Sequence, residues 1–215
     1  MNWSKPLISR LTRYLRVLRQ LRSLGFAKVF SNNLGDAVGV SAAVVRKDFS
    51  AISIGGNKRG GYDIDYLITE IVDVLGKKEP QEAVLVGCGR MGSAILQHRG
   101  IEKEEIRIVA GFDVEKSKID HTAPVPVYDM SELKKIVRAQ KVEVAVLTVP
   151  DDSAQEVFDK LIDAGVRGFL NFTSVPLKCP EAALSDGCVV HQVNIGLELE
   201  ILFYLVRAAK EGSLS

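Results

Sequence analysis

Ten residues, Ala83-Val84-Leu85-Val86-Gly87-Cys88-Gly89-Arg90-Met91-Gly92, constrain this chain more than any other stretch. A short apolar run feeds Gly87-x-Gly89-x-x-Gly92, and Ser93 to Gln97 reads as the start of a helix. Gly87 permits a tight strand-to-helix turn. Gly89 lets the backbone approach a pyrophosphate, and Gly92 lets the helix pack closely on the strand. The helix N-terminus then offers free N–H groups and a positive dipole end to the phosphates. A second apolar run, Ile106 to Phe112, ends at Asp113, about twenty residues past the last glycine, where a dinucleotide fold places the carboxylate that binds the adenosine ribose hydroxyls. The competing reading is a glycine-rich turn in an unrelated α/β domain, with Asp113 a mere strand end.

Net charge is +1, but its distribution is uneven. Residues 1–61 carry 11 Lys/Arg and only Asp36 and Asp48, a balance of 11 − 2 = +9. The remainder carries 17 basic and 25 acidic residues, a balance of −8. Such asymmetry implies a basic module for a polyanion joined to an acidic module with another task.

In the basic part, Ser4 is expected to cap a helix with Pro6 in its first turn. Leu7, Leu11, Tyr14, Leu15, Leu18 and Leu21 recur at helical spacing, and Gly25 ends the run. The arginines at 10, 13, 16, 19 and 22 recur every three residues, so they drift about 60° per step around the helix and cannot all face one phosphate backbone. Arg10 is assigned to DNA, and Arg16, on another side, to the protein. Ser31 is expected to cap a short helix, Gly39 to form a tight turn, and Ser41 to cap a second helix through about Phe49. This is a helix-turn-helix layout. Ser41, Ala42 and Val45 allow close approach to a groove, and Arg46 and Lys47 supply cations for phosphates or base edges. Gly55 to Gly61 reads as a hairpin tip, a wing carrying Lys58 and Arg59. A solvated basic domain that binds protein is the bland alternative.

Tyr62 to Leu75 reads as an amphipathic helix, and Gly76 to Pro80 as the linker. Beyond Asp113 the alternation continues. Strands are expected at 125–127, 144–149 and 168–172, with helices beginning at Ser131 and spanning 154–164. Repeated βα units imply a parallel sheet covered by helices. Ligands bind at the carboxyl ends of such strands, so Thr148, Val149, Pro150, Asn171, Phe172 and Thr173 are candidates for the nicotinamide end, with ordinary turn chemistry as the alternative. The expected fold is therefore α/β: a winged helix-turn-helix domain over 1–78, a Rossmann dinucleotide-binding domain over 79–193, and a terminal helix over 194–215.

That last helix is apolar nearly all round. Ile195, Leu199, Leu202 and Val206 make one stripe, and Leu197, Ile201 and Leu205 another. It must be buried on more than one side, which predicts insertion into a partner subunit and a homodimer suited to palindromic DNA. Cys88, Cys179 and Cys188 form no metal-type cluster in sequence, so a reduced cytoplasmic setting and no metal are expected. Cys88 is read as a small residue filling a tight turn rather than as a redox sensor. No apolar run is long enough to span a membrane, and residues 1–6 do not form a secretory signal.

The chain resembles the Rex family of redox-sensing transcriptional repressors over nearly its full length. The resemblance lies in Ile8-Ser9-Arg10-Leu11, Tyr14-Leu15-Arg16, Val45-Arg46-Lys47-Asp48-Phe49-Ser50, Gly61-Tyr62, the glycine loop, Phe112-Asp113-Val114, Leu147-Thr148-Val149-Pro150 and the run from Gly165 to Phe172. It implies that the winged helix binds a palindromic operator, that the Rossmann domain binds NADH or NAD, and that the terminal helix swaps between subunits. It further implies that high NADH releases the DNA. Two departures stand out. The family wing carries an aromatic pair, absent from Ala51 to Tyr62, and the Arg-Gly step falls one place later here. Some members pair the arginine matching Arg16 with an aspartate opening the swapped helix, where this chain has Asn194; the amide keeps an acceptor but loses the charge.

Two rival functions share parts of this pattern. A dehydrogenase with a basic appendage needs a proton relay, and none of His98, His121 and His191 sits in a recognisable catalytic setting, so no catalytic residue is assigned. A regulator binding a coenzyme A-type nucleotide shares the glycine-loop fold, but Asp113 favours an adenosine ribose without a phosphate at its hydroxyls.

Overall fold

The computed structural model describes residues 3–55, 60–98, 100 and 105–211. The chain divides into two compact units between Pro80 and Gln81, two residues beyond the expected boundary.

In the first unit, α1 (Lys5–Ser23) buries Leu7, Leu11, Tyr14, Leu15 and Leu18 along one stripe. It ends as Gly25 turns left-handed at φ +86°, with Phe26 N–H closing onto the Leu21 carbonyl at 3.1 Å. β1 (Lys28–Val29) leads into α2 (Ser31–Val38) and α3 (Ala42–Ala51). Phe30, not Ser31, holds the N-cap position of α2; Ser31 is the first helical residue. Gly39 makes the left-handed turn as expected, at φ +77°. Gly35 is the second requirement of this corner: a Cβ there would stand 2.5 Å from the Val40 carbonyl oxygen. β2 (Tyr62–Asp63) pairs antiparallel with β1, and α4 (Ile64–Leu75) packs on α1. Tyr62 thus belongs to a strand rather than to the helix. The reason is Asp63, whose carboxylate accepts the Tyr66 N–H at 2.9 Å and fixes the helix start. Lys58 and Arg59 lie outside the described residues.

The second unit carries β3 (Gln81–Val86), α5 (Arg90–Leu96), β4 (Ile106–Asp113), β5 (Val127–Asp129), α6 (Leu133–Gln140), β6 (Val144–Leu147), α7 (Asp151–Ala164), β7 (Gly168–Asn171), α8 (Glu181–Ser185), β8 (Val189–Gln192) and α9 (Ile195–Lys210). The sheet runs β5-β4-β3-β6-β7-β8, and every pairing is parallel. The chain order therefore reverses between β3 and β6, the crevice where doubly wound folds bind ligands. Val84, Val86, Phe112, Leu147, Phe158 and Leu161 fill the core on the α6–α7 side.

Several boundaries differ from expectation. α5 begins at Arg90, three residues early, because Gly89 takes the N-cap without a side chain. β5 lies two residues later than expected. The start of the next helix is set by Asp129, whose carboxylate accepts the Ser131 N–H at 2.9 Å and opens a 3-10 turn, Met130–Glu132, ahead of α6; Ser131 is not the cap. A 3-10 turn, Lys116–Lys118, stands between β4 and β5 where a crossover helix is usual. It leaves a groove of about 940 Å³ along the sheet, lined in part by Leu96, Ile108, Lys118 and Val127. α8 and β8 were not anticipated.

α9 starts at Asn194, whose side-chain oxygen accepts the Leu197 N–H at 3.0 Å. Its large apolar side chains are bare, from Leu205 at 40% exposed to Phe203 at 71%, while Ala208 is buried. Val193, Ile195, Leu199 and Leu202 help line an apolar groove of about 400 Å³. Among the described residues, no helix is long and apolar enough to cross a membrane, and no group of three or more His, Cys, Asp or Glu is placed to hold a metal.

Candidate dinucleotide site and nucleic-acid interface

The glycine loop leaves β3 at the point of strand reversal. Gly87 sits at φ +96°, and a Cβ there would lie 2.7 Å from the Thr148 carbonyl. The Thr148 hydroxyl reinforces that approach by donating to the Gly87 carbonyl at 2.8 Å. A Cβ on Gly92 would lie 2.0 Å from the Gly87 oxygen. The first and third glycines are thus demanded by the chain's own packing. Gly89 is not: its φ of −68° suits any residue, and a Cβ there would meet nothing within 4 Å. Packing does not demand a glycine at this position, where Gly89 serves as the N-cap of α5.

Asp113 ends β4 and is 7% exposed. One carboxylate oxygen accepts the Cys88 N–H at 2.7 Å, and the other accepts the Glu115 N–H at 2.9 Å. The carboxylate ties the glycine loop to the end of β4, and each oxygen keeps a lone pair for a ribose hydroxyl. Lys118 Nζ stands 3.6 Å away, its pKa raised chiefly by its bond to Glu115. Cys88 is buried. Its thiol lies 3.7 Å from the Phe112 carbonyl, and burial, then Asp113, pushes its pKa up to about 11. This is the environment of an inert thiol filling a turn.

The remaining assigned residues divide. Arg90 and Met91 open α5 and are exposed, as is Val114 beyond Asp113. Val149 and Phe172 are half-buried and Pro150 is exposed at the strand ends. Asn171, fully buried, donates to the Val175 carbonyl at 3.0 Å and to the Gln192 side chain at 2.8 Å, while its oxygen accepts the Thr173 N–H at 3.0 Å. The polar side-chain atoms of Asn171 therefore brace the loop after β7 against the neighbouring β8, as turn chemistry.

In the first unit, Ser41 accepts the Val44 N–H at 3.4 Å and starts α3. Arg46 and Lys47 are exposed and Ala42 is half-buried. Arg46 also donates to the Ser31 hydroxyl at 3.2 Å, linking α3 to α2. Val45 corrects the sequence reading: it is fully buried in the first unit's core, where it anchors α3 instead of reaching a base. Arg10 is engaged inward. Its Nε and Nη2 donate to Asp48 at 2.6 and 2.7 Å, and the buried Tyr14 hydroxyl donates to the same carboxylate at 2.9 Å. The bonds to Asp48 raise the Arg10 pKa, and burial followed by Asp48 raises that of Tyr14. Sequence reasoning missed this brace between α1 and α3. Its only signal was an aspartate at the inward spacing set by Val45 and Phe49. Arg16 is an exposed residue of α1, and Asn194 caps α9.

Two family models match the chain: a putative DNA-binding protein N-terminus over residues 3–50 and a CoA binding domain over residues 78–175. The redox-sensing transcriptional repressor Rex 1 of Enterococcus faecalis is 36% identical over 208 residues, covering 96% of this chain and 94% of its own. The redox-sensing transcriptional repressor Rex of Bacillus pumilus is 38% identical over 200 residues, covering 92% and 90%. Among solved structures, RSP in complex with β-NADH superposes with a TM-score of 0.79 at 25% identity, covering 98% of this chain and 97% of that one. RSP in complex with β-NAD+ and operator DNA gives 0.78 at 26% identity, covering 99% and 95%.

Proposed function

Because the chain belongs to the Rex family of redox-sensing transcriptional repressors, we propose that it is a cytoplasmic homodimer that binds a palindromic operator and releases it when NADH binds. The observation that carries this reading is Gly89, a glycine that packing does not demand, in the loop at the strand reversal where a ligand would back onto it. Asp113 receives the adenosine ribose and disfavours the 2′-phosphate of NADPH by charge repulsion. α3 enters the major groove, with Arg46, Lys47, Lys58 and Arg59 supplying cations to phosphates or base edges. RSP, captured with β-NADH and with β-NAD+ and operator DNA, supports both halves of the proposal.

α9 closes the dimer by covering its bare apolar surface with a partner subunit. NADH and NAD+ differ by a hydride and the ring's charge, so discrimination falls where the nicotinamide sits. An apolar pocket near Thr148, Phe172 and a swapped helix favours the neutral reduced ring. The ligand shifts the dimer between shapes only by its differential affinity for them. Arg16 and Asn194 are the positions through which the two modules are coupled. The proposed activity is binding and release, with no catalytic step.

A second reading, coenzyme A as the nucleotide, is favoured by the family model over residues 78–175. One experiment separates the two: operator binding by fluorescence anisotropy at constant salt, with NADH, NADPH or coenzyme A titrated against fixed NAD+. Release by NADH alone is the expected result. Release by coenzyme A alone overturns the first reading in favour of the second, and release by neither overturns both.

A further inference from the structure

Asp113 suits an adenosine ribose without a phosphate, yet a cation stands beside it. Lys118 Nζ lies 3.6 Å from Asp113 Oδ2. In sites of this fold a basic side chain near the ribose accommodates a 2′-phosphate, so the two residues pull nucleotide choice in opposite directions. Glu115 sits between them in the chain and engages both. Its Oε2 takes Lys118 Nζ at 2.7 Å, and its Oε1 accepts the Ser117 hydroxyl at 2.6 Å. The backbone fixes the same triangle. Glu115 N–H donates to Asp113 Oδ1 at 2.9 Å, and Lys118 N–H closes the 3-10 turn onto the Glu115 carbonyl at 2.9 Å. The bond to Lys118, then that to Ser117, holds the Glu115 carboxyl below its usual range. A ribose hydroxyl donating to Asp113 Oδ2 sits about 2.7 Å from it. Lys118 Nζ is then no more than about 6.3 Å from that hydroxyl oxygen, inside the Debye length at physiological salt. Lys118 also lines the open groove beside the sheet, which gives its flexible stem room to turn.

We propose that Glu115 is a specificity-determining residue of the nucleotide site: by holding Lys118, it withholds that ammonium from a 2′-phosphate and keeps NADPH out. The proposal rests on the dinucleotide reading of Asp113. With Glu115 in place, Asp113, Glu115 and Lys118 together carry one negative charge, which repels the phosphate. Without it, Asp113 and Lys118 cancel, and the freed ammonium can turn to the phosphate as a direct partner. NADH and NAD+ carry no charge at the 2′ position, so their binding does not depend on where Lys118 points. Glu115 therefore acts on one nucleotide class and acts through Lys118.

The test titrates the full chain with NADH and with NADPH by fluorescence at constant salt. Wild type is expected to prefer NADH. Glu115→Ala is expected to tighten NADPH binding about three- to tenfold and to leave NADH within about twofold and the melting temperature unchanged. In the Lys118→Met background the same substitution is expected to alter NADPH affinity by less than about twofold, because the ammonium it would release is gone. A gain of equal size without Lys118 overturns the proposal, since Glu115 then acts by its own charge alone. An unchanged ratio of the two affinities in Glu115→Ala also overturns it, and leaves the dinucleotide reading standing. Equal affinities in wild type overturn it together with the ribose assignment of Asp113. Wild type that binds neither nucleotide overturns both the proposal and the dinucleotide reading.

Discussion

Alanine at Gly89 is expected to separate ligand binding from folding. On the folded side the added methyl meets nothing within 4 Å, and the backbone already has φ −68°. Alanine is a poorer N-cap than glycine, which costs about 0.5–1 kcal/mol. Reduced freedom of the unfolded chain returns roughly 0.4–1 kcal/mol. Net stability should move by less than about 0.5 kcal/mol. Binding should respond quite differently. A methyl on the ligand-facing side pushes the pyrophosphate off the loop and weakens one or two charge-assisted hydrogen bonds, a loss of about 2–3 kcal/mol, or roughly a hundredfold in Kd. Gly92→Ala supplies the contrast. Its Cβ would sit 2.0 Å from the Gly87 oxygen, so the loop must shift, at a cost to stability of about 1–3 kcal/mol. Urea denaturation reads the first quantity and NADH fluorescence titration the second. The reasoning fails if Gly89→Ala binds NADH as wild type does, or if it loses as much stability as Gly92→Ala.

Further outcomes follow from the same geometry. Arg10→Ala leaves the Asp48 carboxylate, 4% exposed, without its cation, and should destabilise the first unit by about 3 kcal/mol; weakened DNA binding with an unchanged melting temperature would instead make Arg10 a phosphate contact. Wild type should bind NADH more tightly than NADPH, and Asp113→Ser should narrow that ratio, as read by titration of both nucleotides; equal affinities in wild type would contradict the ribose assignment. Leu202→Glu places a charge on the bare face of α9 and should shift the protein towards monomer in sedimentation velocity, with operator affinity falling alongside; a dimer of unchanged stability would locate the interface elsewhere.

The parts legible in the sequence were those fixed by local chemistry. The glycine loop, Asp113, Gly25 and Gly39 each answer to a backbone rule that holds within a few residues. Helix periodicity found α1, α4, α7 and α9 because each carries a continuous apolar stripe. Starts were less legible where two capping residues compete. Asp63 and Asp129 carry charged acceptors and set their caps, which the pattern alone had placed at other residues. α8 and β8 escaped because a five-residue helix and a mostly exposed edge strand have no period to detect. The Arg10–Asp48 pair was invisible for another reason: it joins residues that only the folded chain brings together.

The Arg10–Asp48 pair also changes what a salt titration reports. Counterion release counts the phosphates a protein neutralises, and the 11 basic residues of positions 1–61 set an apparent ceiling for each subunit. A guanidinium already neutralised inside the protein gives up no ions when DNA arrives. Arg10 therefore belongs to the stiffness of the reading head, holding α3 against α1. The slope of affinity against ionic strength should fall short of what the composition promises.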